Sequence, residues 1–105
     1  MESILLLVNS APASPSAQRA WQMAHTLQGQ GHPVTLFLIQ DGVLAGLDGE
    51  TSVRDLPPEI RCHVLGEDLA LRGFTGLDLG PQVRVADYTQ LVELFDQHAR
   101  VIGAL

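Results

Sequence analysis

Val34-Thr35-Leu36-Phe37-Leu38-Ile39-Gln40-Asp41-Gly42-Val43-Leu44-Ala45 is the stretch that decides the fold. From Val34 to Ile39 every residue is apolar or β-branched, with no polar alternation. So short and so apolar a run reads as a strand buried on both faces, the hallmark of a parallel sheet covered by helices. Gln40-Asp41-Gly42 then interrupts it with a turn signal in which Asp41 is an N-cap residue, and a short apolar segment follows. Open α/β sheets gather ligand and catalytic groups where strands end and helices begin. The Asp41-Gly42 edge is therefore the first place to look for a site.

Upstream, Ile4-Leu5-Leu6-Leu7-Val8 has the same character and ends at Asn9-Ser10. A serine-rich, proline-punctuated loop, Ala11 to Ser16, leads out of it. Ser14-Pro15 is a good N-cap and N1 pair. Ala17, Ala20, Trp21, Ala24 and Leu27 then recur at helical spacing, and Gly29, Gly31 and Pro33 stop the helix. Strand, helix and strand make a βαβ unit, expected to be right-handed. The loop from Asn9 to Ser16 precedes a helix N-terminus, which suits anions, but it lacks the glycines that let a backbone approach a phosphate closely. A plain serine-capped connection is the stronger reading.

Downstream, residues 48–59 read as a surface loop and Ile60 to Leu65 as a third strand. Gly66-Glu67-Asp68 opens a short helix that Arg72-Gly73 closes. Thr75 to Pro81 is a glycine-containing connection and Val83 to Val85 a fourth strand. Asp87 and Gln90 have capping-box spacing ahead of a last helix, whose buried stripe is expected to be Leu91, Val92, Leu94, Phe95 and His98. Residues 101–105 are a fifth, edge strand or a docked tail. The fold class is α/β: a flavodoxin-like, three-layer α/β/α single domain over residues 1–105, with a mainly parallel sheet of four or five strands.

Composition narrows the chemistry. A chain of 105 residues and net charge −6 makes one domain. Its acidity argues against direct nucleic-acid contact and against an anionic membrane surface. All six cations are arginine, which removes Schiff-base chemistry and the phosphate-binding lysine of P-loops. One cysteine, Cys62, allows no internal disulfide and no zinc ribbon. The apolar run from Ile4 to Val8 follows no basic segment and is too short for a leader or a membrane span, so a cytoplasmic location is expected. No motif calls for a cofactor, and no two of His25, His32, His63 and His98 have the spacing of a helical metal site.

Gln40-Asp41-Gly42-Val43, Leu65-Gly66-Glu67-Asp68-Leu69-Ala70-Leu71-Arg72-Gly73-Phe74 and Val85-Ala86-Asp87-Tyr88-Thr89-Gln90-Leu91-Val92-Glu93-Leu94 follow one another in this order. The set resembles the DsrE/DsrF/DsrH family of small sulfur-relay proteins over nearly the whole chain. The C-terminal two thirds look most like the DsrH/TusB branch, and the N-terminal third looks more like the DsrE/TusD branch. The resemblance implies an α/β/α domain in trimers or hexamers, homo- or hetero-oligomeric, with the protein partners of a sulfur-relay chain. It implies persulfide traffic, either toward the wobble uridine of certain transfer RNAs or in sulfur oxidation. In catalytic members a cysteine at the end of the third strand, eight residues before the glycine of the Arg-Gly pair, carries the sulfur. Here that position is Leu65, which cannot hold a persulfide. The resemblance therefore points to a partner-binding subunit without independent catalytic activity.

Two other readings stand beside this one. A small-molecule module on the same fold would use Asn9, Ser10, Asp41 and Gly42. A sulfur carrier would use Cys62. Strand alternation, however, points Cys62 to the sheet face opposite residue 65, while Arg61 and His63 face away from it. Free cysteine is commonly core packing. His63 is placed to meet Asp41 or Asp68 if the second and third strands end side by side, but no nucleophile accompanies such a pair. A Ser10–His63 triad lacks the nucleophile elbow. Trp21 is expected in the core or at a subunit interface, and Glu67-Asp68 reads as a helix N-terminal charge rather than a metal carboxylate pair.

Overall fold

Five short strands line up in parallel in the order β4-β3-β2-β1-β5. In this computed structural model, which describes residues 2–104, they are β1 (Ile4–Val8), β2 (Val34–Leu38), β3 (Arg61–Leu65), β4 (Val83–Ala86) and β5 (Arg100–Ala104). The helices are α1 (Pro15–Gly29), α2 (Thr51–Arg54), α3 (Gly66–Leu71) and α4 (Tyr88–Gln97), with two 3-10 helices at Gln40–Gly46 and Gly76–Asp78. Strands β1 to β4 march in one direction, so right-handed crossovers carry their connections over one face. The return to β5, on the far side of β1, lays α4 on the other face.

The two faces are unequal. On the first, Leu6, Leu36, Cys62 and Val64 pack with Ala17, Ala20, Trp21 and Ala24 of α1, Val43 of the 3-10 helix, Val53 of α2 and Leu69 of α3. On the second, Leu5, Phe37, Leu65 and Ala86 pack with Leu91 of α4, and Leu94 joins partly buried. One ten-residue helix thus covers what several elements cover opposite. All of β2 is buried, as a central strand with helices on both sides requires.

The caps fall where side-chain chemistry put them. Ser14 accepts a hydrogen bond from the backbone N–H of Ala17 at 3.2 Å. Asp87 and Gln90 exchange reciprocal bonds at 2.8 and 2.9 Å. Gly31, just past α1, takes the left-handed conformation that favours glycine. Trp21 is core, and its indole N–H donates to the Pro12 carbonyl at 3.1 Å.

Several expectations need correction. Residues 48–59 are not all loop, because α2 forms there. It does so by seating Val53 in the first core, where the side chain is only 4% exposed. In α4, Val92 and Phe95 face outward, 58% and 38% exposed. Leu91, Leu94 and His98 form the inward stripe, while Tyr88, Val92 and Phe95 recur at four- and three-residue spacing on another side of the helix. The tail pairs with β1 as a strand, parallel and at the sheet edge; Leu105 lies outside the described residues.

Candidate functional site

The carboxyl ends of β3 and β4 frame a cleft. Strand β3 ends at Leu65, which directly precedes α3. Its register partner Ala86 ends β4, where Asp87 turns the chain into α4. Between them is a cleft of about 520 Å³ whose lining includes Leu65, Glu67, Ala86, Asp87 and Tyr88. Leu65 is 2% exposed and packs against the second core. The hydroxyl-bearing residues Tyr88 and Thr89 line it as well, beside acidic groups. Asp87 is held in its capping box, and Glu67 stands in the first turn of α3. At Leu65 and Ala86 the wall of this cleft is hydrocarbon, and no thiol lines it.

Cys62 lies on the other face of the same strand. Three residues from Leu65, it points into the first core and is 2% exposed. Burial pushes its thiol pKa up to about 12, because the thiolate loses its hydration there. A thiol in that state is a poor nucleophile at neutral pH. Arg61 and His63 face away from it, as strand alternation requires. His63 stacks with Phe37, ring centroids 6.1 Å apart.

The Gln40-Asp41-Gly42 and Asp68-to-Arg72 segments meet as a clasp at the end of β2. Gln40 turns the chain with a positive φ of 50°. Its backbone N–H donates to the Asp68 carboxylate at 2.7 Å. Arg72 donates through Nε and Nη2 to one oxygen of Asp41, at 3.1 and 2.9 Å, and through Nη1 to the Asp68 carbonyl at 3.0 Å. Asp41 is therefore not an N-cap: the residue preceding the 3-10 helix is Ile39, with no side-chain cap bond. Gly42 packs directly under the carbonyl of Val8, where a methyl group would collide. Its neighbour across that contact is the backbone of Asn9, so the ends of β1 and β2 do meet. Ser10 accepts from the Ser14 hydroxyl at 2.9 Å.

His63 pairs with neither Asp41 nor Asp68, because both acids are taken up in the clasp and His63 faces the second core. Sequence reasoning treated Arg72 only as a cation closing its helix and missed its bond to Asp41. It also left unread the grouping of Arg61, His63 and Arg84, which a period-two count on adjacent strands can find.

Similarity to known proteins agrees with this architecture. The family model described as "DsrH like protein" matches residues 13–101. The protein TusB of Escherichia coli strain SMS-3-5 is 42% identical over 67 residues, 61% of this chain and 67% of that protein. The protein TusB of Escherichia coli strain K12 is 41% identical over 66 residues, 60% of this chain and 66% of that protein. The match thus spans about two thirds of these relatives' length. In three dimensions the ychN protein of E. coli superposes with a TM-score of 0.87 at 22% identity, covering 98% of this chain and 99% of that one. A protein of unknown function from Methanobacterium thermoautotrophicum gives 0.79 at 14% identity, covering 96% and 99%. These two share the fold. With the family model matched over most of its length, the chain belongs to the DsrH-like family.

Proposed function

We propose that this chain is a sulfur-relay protein that works as a non-catalytic, partner-binding subunit. One observation carries the reading: a buried leucine, Leu65, occupies the floor of the cleft at the end of β3, while the thiol of Cys62 is sealed into the opposite face. A persulfide must be reachable by a second sulfur for exchange, and exchange proceeds through an attacking thiolate. Neither condition is met at residue 62. In this reading Asp41 and Gly42 hold the ends of the strands in place, Ser10 supports the cap of α1 and Asn9 lies at the same edge.

The outward stripe of Tyr88, Val92 and Phe95 on α4 supports partner binding, since apolar side chains at helical spacing favour burial against another surface. The partner class is a thiol-bearing chain of the same family, assembled with this one in a trimer or hexamer in the cytoplasm. The test is co-expression with such a chain, followed by light scattering of the purified material. A stable complex well above the 11.3 kDa of the single chain is expected. A monomer both alone and beside the co-expressed chain overturns the subunit role.

A further inference from the structure

The positive charge of this acidic chain is not evenly distributed. Arg54, Arg72 and Arg100 each lie within 4.0 Å of a carboxylate oxygen. Among the described residues, Arg19, Arg61 and Arg84 make no such pair; Arg19 lies on α1 and donates to the Ser16 hydroxyl, which leaves Arg61 and Arg84 together on the sheet. Both project from the second face of the sheet, on either side of His63. Arg84 is the register partner of His63 across β3 and β4, and Arg61 lies two residues earlier on the same strand. Arg61 and Arg84 are therefore diagonal neighbours on one face of the sheet, two like charges with no carboxylate paired to either. Glu59 lines an adjoining cleft with Arg61 and His98 but makes no ion pair with either.

These three side chains line a cleft of about 420 Å³ with Gln82, Pro58, Ile60 and Cys62, whose side chain points away into the first core. It lies toward the amino ends of β3 and β4, away from the cleft floored by Leu65. Two guanidinium groups, one imidazole and one carboxamide can all donate hydrogen bonds, and guanidinium forks match the oxygen spacing of a tetrahedral anion. We propose that this cleft binds a tetrahedral oxyanion of the phosphate or sulfate type, free or as the end group of a small molecule. The site does not depend on the sulfur-relay reading.

The titration of His63 agrees with a cluster awaiting a counter-charge. Burial lowers its pKa, and the charges of Arg61, Arg84 and His98 lower it further. The elements packed around it supply Arg61 from its own strand, Arg84 from β4, His98 from the end of α4 and the uncharged ring of Phe37 from β2. A bound anion reverses the electrostatic part of that effect and raises the pKa.

The experiment is a nuclear magnetic resonance titration of the His63 ring, assigned with His63→Asn. Sodium phosphate is exchanged for sodium chloride at constant ionic strength, and phenyl phosphate is the second probe. A saturable shift is expected, with the His63 pKa moving upward. Affinity should fall about tenfold in Arg61→Gln and in Arg84→Gln, because each removes a charge-assisted contact. Saturation should vanish in the double variant, whose unfolding temperature is measured alongside. Tighter binding of phenyl phosphate supports an end group, and equal binding supports a free ion. A linear response in the wild-type protein overturns the proposal, as does saturable binding retained by a folded double variant.

Discussion

Residue 65 and residue 62 lie on one strand, yet their chemistry is set by opposite faces of the sheet. Leu65 borders one cleft; Cys62 sends its side chain into the first core, behind the cleft that Arg61 and His63 line. Because the folded state holds the Cys62 thiol pKa at about 12 against an ordinary 9.0, the unfolded chain loses that proton first. Stability should therefore fall as pH rises from about 9 toward 12, and Cys62→Ala should flatten that limb in urea titrations at increasing pH. His63 works in the opposite sense. Its folded pKa is lowered from 6.5, so the unfolded chain takes up the proton first on acidification. The stability it contributes is intact above about pH 6.5 and is lost as pH falls through the folded pKa. His63→Asn should reduce that acid limb in the same titrations.

Among the elements, the clasp joins the turn after β2 to α3 through Gln40, Asp41, Asp68 and Arg72. Gly42→Ala should destabilise the chain by at least about 2 kcal/mol in denaturant unfolding, because the new methyl group meets the rigid carbonyl of Val8 rather than a movable side chain. Loss of the Asp41–Arg72 pair is milder. With the carboxylate side exposed, Asp41→Asn should cost no more than about 1 kcal/mol. Asp87→Ala should cost about 1 kcal/mol through the cap of α4. The strands and the caps at Ser14 and Asp87 were readable because buried parallel strands and capping residues act through near neighbours in sequence. The clasp was not, since Asp41 and Arg72 are brought together only by the adjacency of β2 and β3. For the same reason Val92 and Phe95 were misassigned: a helix with two apolar sides gives no local sign of which one the sheet will cover. Val53 shows the converse, a single apolar residue in a polar stretch that organises a turn of helix around its burial.

At the scale of the molecule, the sheet is well covered on one face and thinly on the other. The thin face carries both the outward stripe of α4 and the arginine-flanked cleft. If the stripe is where the chain meets its partner, Val92→Glu with Phe95→Glu should dissociate the complex in light scattering and leave the unfolding temperature of the isolated chain nearly unchanged, since both side chains are already exposed. The sharper test concerns the sulfur itself. Native wild-type protein and a Cys62→Ala, Leu65→Cys variant are each incubated with a sulfane-sulfur donor and weighed intact by mass spectrometry. The account predicts no gain in the wild type and the mass of one added sulfur atom in the variant, whose shorter side chain replaces the leucine that borders the cleft. Rapid addition of one sulfur atom to Cys62 in the folded wild-type chain would contradict it.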